Sequence, residues 1–211
     1  MAHPVPVALL IAVPDPSPIT ARLATPADGE ACAAIYAPYV ASTAISFELE
    51  PPTAREMAAR IERTMARTPW VVVEVDGVVR AYAYGTRHRD RAAYDRTVET
   101  TVYVDGAFAG RGLGRRAMTA LLAVLRLQGA HLAVAGITPP NPASEGLHAA
   151  LGFHRVGSFE AIGFKFGAWH GVTWYALELG PRPASPAPFV PLSELLGSPA
   201  LSAVEAALTE S

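Results

Sequence analysis

The sequence predicts an α+β fold on a mixed sheet rather than a doubly wound one, and three observations predict it. Strand and helix signals alternate along most of the chain. An early turn signal, Asp76-Gly77 between two alternating apolar runs, interrupts that alternation with a hairpin. A late glycine-bounded stretch, Gly167 to Gly171, sits between two further strand-like runs. Hairpins impose antiparallel pairing, whereas helical crossovers impose parallel pairing, so the sheet must contain both.

The elements follow in order. Ile19 to Ala24 reads as a first strand. Thr25-Pro26-Ala27-Asp28 starts a helix to about Tyr39: Thr25 is the N-cap, Pro26 takes the first helical position and Asp28 completes a capping box. Ser42 to Pro52 is irregular and carries Phe47. Thr53-Ala54-Arg55-Glu56 is a second capping box, opening a helix to about Arg67. Trp70–Val75 and Val78–Tyr84 are the strands around Asp76-Gly77. Gly85 to Ala93 reads as a basic, loop-like insertion holding Arg87, His88, Arg89 and Arg91. Val98 to Val104 is a β-branched and aromatic run, hence a buried strand. Glycines at 106, 110, 112 and 114 follow, then a helix from Arg115 to Gln128 with Met118, Leu121, Leu122 and Leu125 at helical spacing. Leu132–Ile137 is a strand that Thr138-Pro-Pro-Asn-Pro142 ends. Ala143–Leu151 is a helix stopped by Gly152. Arg155–Phe166 and Val172–Leu179 form the closing hairpin.

Domain organisation follows from the composition shifts. Residues 1–18 read as a flexible Pro-rich leader, residues 19–180 as one domain, and residues 181–211 as a Pro/Ala-rich linker with a short terminal helix. The apolar run Val5–Val13 is short, lacks a basic flank and is bracketed by prolines, which favours a leader over a signal peptide. No apolar run reaches the ~18 residues of a membrane span. A formal charge of −2 gives no reason to expect nucleic acid. The single cysteine, Cys32, cannot form an internal disulfide; this fits a cytoplasmic location and a core-filling role. The six histidines are scattered without ligand spacing, so no metal site is expected.

Strand, glycine loop and helix together point several backbone N–H groups at an anion, with the helix N-terminus behind them. The loop is neither G-x-x-x-x-G-K-[S/T] nor G-x-G-x-x-G, since its glycines alternate at 110, 112 and 114. It therefore suits a pyrophosphate other than that of ATP or NAD.

On these residues the chain resembles the GCN5-related N-acetyltransferase (GNAT) superfamily, and within it the phosphinothricin and methionine sulfoximine N-acetyltransferases. The resemblance spans about residues 19–179. It is carried by Ser42-Thr-Ala-Ile-Ser-Phe47 with Glu50-Pro51, by Arg91-Ala-Ala-Tyr-Asp-Arg-Thr-Val-Glu-Thr-Thr-Val-Tyr-Val104, by Gly112-Leu-Gly114 with Asn141 to Phe153, and by Gly163-Phe-Lys-Phe-Gly-Ala-Trp-His170. Three positions depart from the pattern: Ala109 stands at a loop position usually Arg or Gln, Gly171 where an acidic residue is frequent, and Thr138 for a glycine of the acceptor pocket.

The resemblance implies a GNAT-type, mostly antiparallel sheet flanked by helices on both faces, and acetyl-CoA as co-substrate. It implies direct transfer to the α-amino group of a small amino-acid-like acceptor, in a homodimer. Alternation along the strand puts Glu99, Thr101 and Tyr103 on one face. Glu99 is the candidate base, and a structural carboxylate paired with an arginine is its alternative; Asp95 is read as structural. His148, seven residues after Asn141 where many members carry Tyr, is the candidate acid or second base. Val102, Tyr103 and Val104 would offer backbone groups to the pantetheine arm, with Asn141 and Ser144 beside it. Gly110, Arg111, Gly112, Leu113, Gly114 and Arg115 would hold the pyrophosphate. Phe47, Arg89, Arg91, Tyr94, Thr101 and Tyr103 would border the acceptor, the arginines because a guanidinium suits carboxylate or phosphinate. Trp169 is read as hairpin core or interface. Another amine or amino acid as acceptor, or a non-catalytic acyl-CoA-binding module, remain the alternatives.

Overall fold

The computed structural model describes residues 18–209; the leader read over residues 1–18 lies outside them except for Pro18. Seven strands form one sheet: β1 (Ile19–Leu23), β2 (Trp70–Val75), β3 (Val78–Arg87), β4 (Thr97–Val104), β5 (Leu132–Ile137), β6 (His154–Lys165) and β7 (Ala168–Glu178). Their order across the sheet is β1-β2-β3-β4-β5-β7-β6. Every neighbouring pair is antiparallel except β4 and β5. The mixed sheet is thus the one the two hairpins required.

Helices cover both faces. On one face, α1 (Gly29–Ser42) and α2 (Ala54–Met65) pack Ile35, Tyr36, Val40, Met57 and Ile61 against Trp70, Val72 and Tyr82. On the other, α3 (Leu113–Leu127) buries Leu113, Met118, Leu121, Leu122 and Leu125 against Val71, Val73, Ala83 and Val98. Each such side chain contributes about 1.5–3 kcal/mol on burial, so α3 is anchored along its length and the loop before it starts from a fixed point. The helix α4 (Pro142–Ala150) adds Leu147 to the same cluster. Cys32 is fully buried in the first cluster, and burial pushes its thiol up to about 12, as suits core filler.

Two of the boundaries that differ from the sequence reading bear on the site. Residues 85–87 are strand, because Gly85, Thr86 and Arg87 pair with Thr100, Glu99 and Val98 of β4. The basic insertion shrinks to residues 88–91 followed by a single 3₁₀ turn, Ala92–Tyr94. The closing hairpin turns on two residues, Phe166 (φ 51°) and Gly167 (φ 75°), so Trp169 and His170 belong to β7. Positive φ at both central residues matches the right-handed twist of a hairpin, and Phe166 adopts it despite its side chain.

Beyond Gly180 the chain runs back along the domain. Val190 N–H donates to the Gln128 carbonyl at 2.9 Å and Leu192 N–H to the Arg67 carbonyl at 2.8 Å. Gln128, wholly buried, donates from Nε2 to the Arg67 and Val190 carbonyls. The short helix α5 (Leu192–Leu195) and α6 (Pro199–Thr209) then bury Leu192 and Leu201 against Val124 of α3. They are separate helices because Gly197 (φ 76°) turns the chain between them.

Candidate active site

The site exists because β4 and β5 part. They pair only through Thr97–Leu132, Val98–Ala133 and Glu99–Val134, yet β4 continues to Val104 and β5 to Ile137. Thr100 Oγ1 donates to the Val134 carbonyl at 3.2 Å just past the last pair, so a side chain caps the point of separation. A cavity of about 530 Å³ fills the gap. Residues from both faces of β4 bound it, Thr101 and Tyr103 from one and Thr100, Val102 and Val104 from the other. The cavity therefore passes through the sheet. Alternate backbone groups on the unpaired edge of β4 face it.

At one end lies the glycine loop. Gly110 (φ 77°) and Gly112 (φ 79°) adopt the left-handed conformation, and a Cβ built on either meets nothing within 4 Å. Their need for glycine is conformational, and the space above them is open to a ligand. Gly114 differs: a Cβ there would stand 3.3 Å from Val104 Cγ2 and Leu147 Cδ2, so it lets α3 approach β4. The first turn of α3 leaves N–H groups without intrahelical carbonyls. Gly110, Gly112, Leu113, Gly114 and Arg115 all bound the cavity, whereas Arg111 turns away over the Phe108 ring at 4.8 Å.

The side walls come from α4 and α1. Asn141 caps α4, its Oδ1 accepting from Ser144 N–H at 3.1 Å. His148 Nδ1 lies 2.8 Å from the Ser144 carbonyl. A carbonyl only accepts, so Nδ1 carries the hydrogen and Nε2 holds the lone pair. That Nε2 is buried without a partner, and the ring is edge-on to Phe153 at 4.9 Å. Burial holds the imidazole below its usual range. Asn141, Ser144 and His148 all bound the cavity. So do Tyr39, whose hydroxyl donates to the Val104 carbonyl at 2.6 Å, and Ile45. Tyr103 sits among Tyr36, Tyr39 and Tyr82, and burial raises its hydroxyl well above the usual phenol value.

Glu99 shares the face of Thr101 and Tyr103 but lies beyond the cavity wall, at the last β4–β5 pair. Its neighbour is His88, with Nδ1 3.5 Å from Oε2, rather than an arginine. Asp95 is engaged elsewhere, by Arg67 at 3.1 Å and Arg87 at 3.0 Å. Arg89 and Arg91 are exposed and do not reach the cavity. Tyr94 is edge-on to His88 at 6.1 Å.

Phe47 also stands outside the cavity, over Gly163, where a Cβ would fall 2.2 Å from its ring. Lys165, a residue the sequence reading passed over, is buried and donates from Nζ to the Val40, Thr43 and Ser46 carbonyls at 2.6, 2.9 and 2.7 Å. His170 Nε2 lies 3.0 Å from the Lys165 carbonyl. The Gly-Phe-Lys and Trp-His block thus grips the segment between α1 and α2 that carries Ile45 and Phe47. Trp169 is 66% exposed, so it is not hairpin core. Gly171 has its own reason: a Cβ there would lie 2.7 Å from the Phe159 carbonyl oxygen and 2.9 Å from that of Glu160, where β6 bulges over it.

A parted sheet with a glycine loop and a helix N-terminus at the gap, and a cavity opened between the two strands, is the architecture of a coenzyme-dependent transferase. The chain belongs to the Acetyltransferase (GNAT) family, which it matches over residues 32–153, and is an acetyl-CoA-dependent N-acetyltransferase. It is 39% identical over 182 residues to a phosphinothricin N-acetyltransferase of Streptomyces viridochromogenes, covering 86% of this chain and 99% of that one. It is 36% identical over 162 residues to an L-methionine sulfoximine/L-methionine sulfone acetyltransferase of Salmonella typhimurium, covering 76% and 95%. Its fold matches a phosphinothricin acetyltransferase of Sinorhizobium meliloti in complex with acetyl-CoA, with a TM-score of 0.75 and 32% identity over 81% of this chain and 94% of that one. Among the described residues no group of His, Cys, Asp and Glu could hold a metal, and no helix is long and apolar enough to cross a membrane.

Proposed function

We propose that the protein acetylates the α-amino group of a small amino-acid-like acceptor such as phosphinothricin or methionine sulfoximine, by direct transfer in a ternary complex. The observation that carries this reading is the cavity through the parted sheet, with the glycine loop at one end and the Glu99 face at the other. Relatives bearing those substrate names match nearly their whole length.

When bound, acetyl-CoA supplies an acetyl group activated as a thioester. Gly110, Gly112, Leu113, Gly114 and Arg115 hold its pyrophosphate through backbone amides. This makes Ala109 tolerable, because the lost side-chain contact was one among several donors. The edge of Val102, Tyr103 and Val104 aligns the pantetheine arm, with Asn141 and Ser144 opposite. Arg111, stacked on Phe108, adds charge near the loop rather than a direct contact. Glu99 takes the proton from the acceptor ammonium, since only the neutral amine can attack. The new C–N bond then forms as the C–S bond breaks. His148, with Nδ1–H held by the Ser144 carbonyl, works through Nε2: it takes the second nitrogen proton as the C–N bond forms and returns it to the departing thiolate. Thr101, Tyr103, Tyr94 and the segment of Phe47 border the acceptor. Arg89 and Arg91, exposed in the loop before Tyr94, attract its acidic group from outside the cavity.

We assign the transferase domain to residues 19–180, with residues 181–211 as an appended segment. A homodimer is proposed on a specific surface: Val156, Phe159, Ile162, Phe164, Phe166 and Trp169 of the edge hairpin are each more than half exposed. An apolar edge of that extent calls for a cover. A cytoplasmic location accords with a lone, buried thiol.

The test is acetyl-CoA-dependent thiol release screened against amino acids and phosphinic analogues. Phosphinothricin or methionine sulfoximine should lead; no release with any α-amino acid would overturn the assignment. Glu99→Gln should lower kcat by about 10²–10⁴-fold while calorimetric acetyl-CoA binding persists.

A further inference from the structure

We propose that His88 and Glu99 form a carboxylate–imidazole pair through which the proton taken from the acceptor leaves the site, with His88 acting through Glu99 as a positioning residue. The inference rests on the reading of Glu99 as base and extends it.

His88 is the first residue past β3, and the pairing of Thr86 with Glu99 fixes where it goes. Alternation from Thr86 carries the His88 side chain to the face of the sheet that bears Glu99. Its ring is held edge-on between Tyr94 at 6.1 Å and Trp174 at 5.9 Å. Nδ1 is buried and makes no hydrogen bond, and the group it faces is Glu99 Oε2 at 3.5 Å. That separation is within ion-pair range but looser than a charge-assisted hydrogen bond, and catalytic contacts commonly tighten when substrate arrives. The imidazole keeps 21% of its side chain exposed and Glu99 keeps 36%, so both members of the pair reach solvent.

The proton balance is simple. Glu99 accepts one proton from the ammonium and becomes a carboxylic acid. It passes that proton to His88 Nδ1, restoring the carboxylate beside an imidazolium, which then releases a proton to bulk buffer. With Nδ1 3.5 Å from Glu99 Oε2, the imidazole is the acceptor within the pair for that proton. The titratable groups against the ring are Glu99 from β4 and Tyr94 from the 3₁₀ turn, while β7 presents only the uncharged Trp174. In its own segment, Arg87 is paired with Asp95, and Arg89, Asp90 and Arg91 are exposed.

Two measurements on the full chain test this. The imidazole resonance of His88 is followed against pH in the wild type and in Glu99→Gln; loss of the carboxylate should lower its midpoint by at least half a pH unit, and an unchanged midpoint overturns the pair. With phosphinothricin and methionine sulfoximine as probe acceptors, His88→Gln should lower kcat about tenfold at neutral pH and move the acid limb to lower pH. The KM for acetyl-CoA should hold, and added imidazole should restore activity to His88→Ala. If Glu99→Gln keeps its kcat, the base reading itself fails. If Glu99→Gln is inactive but His88→Gln keeps the wild-type kcat and pH profile, the pair alone fails. If neither acceptor turns over, the imidazole midpoint decides.

Discussion

Two buried side chains carry consequences that can be measured. Lys165 gives three hydrogen bonds to backbone carbonyls some 120 residues away in sequence, all in the segment that ends α1 and leads to Phe47. Lys165→Met removes the donors and leaves those carbonyls buried, which costs about 3 kcal/mol or more. The melting temperature should fall, and kcat/KM for the acceptor should drop more than acetyl-CoA affinity does. His148 is the second. Burial lowers its folded value below the ordinary 6.5. As pH falls through 6.5, the unfolded chain takes up a proton that the folded chain refuses. Stability is thus lost on acidification, at no more than about 1.4 kcal/mol per pH unit, and levels off below the folded value. Melting curves between pH 7.5 and 5 should show that loss, and His148→Gln should flatten it.

At the scale of elements, loop and helix act together. Gly110, Gly112, Leu113, Gly114 and Arg115 are held at the cavity because α3 is pinned by its buried leucines and because two glycines take left-handed φ. Gly112→Ala adds a Cβ that meets nothing, so its penalty is conformational, about 1–2 kcal/mol. The loop should relax out of its cradle, raising the acetyl-CoA Kd roughly tenfold, equivalent to about 1.4 kcal/mol. Titration calorimetry reads this directly; an unchanged Kd would show that the loop's conformation does not set affinity. The parting of β4 and β5 is likewise an element-scale device. Thr100 closes the last paired position, and the cavity begins where backbone pairing stops.

In the whole molecule, the surfaces at the two ends of the sheet differ. At the β1 end, α6 packs against β1 and α3. At the β6 end, aromatic residues stand in the open, among them Phe164 and Trp169 with ring centroids 5.4 Å apart. Trp169→Asp should convert the proposed dimer to monomer in sedimentation velocity while leaving the far-ultraviolet circular dichroism intact. A wild type that sediments as a monomer would remove that assembly.

Local rules fix much of this chain by themselves. The strand around Val98–Val104, the glycine loop, both N-terminal boxes and the Asp76-Gly77 turn are encoded by neighbours within a few residues, through side-chain alternation, capping and positive φ. The loop that suits a pyrophosphate and the face that bears Glu99, Thr101 and Tyr103 were legible for that reason. Tertiary structure decided the rest. The strand character of residues 85–87 depends on pairing with β4, and with it the approach of His88 to Glu99. Lys165 could be noticed as a lone charge between Phe164 and Phe166, but its three carbonyl partners come from a distant segment. Which nitrogen of His148 is free was likewise settled by folding, which commits Nδ1 to the Ser144 carbonyl and leaves Nε2 without a partner. Proton chemistry depends on which groups meet across the fold and how far water is excluded from them, and neither quantity is written in the order of the residues.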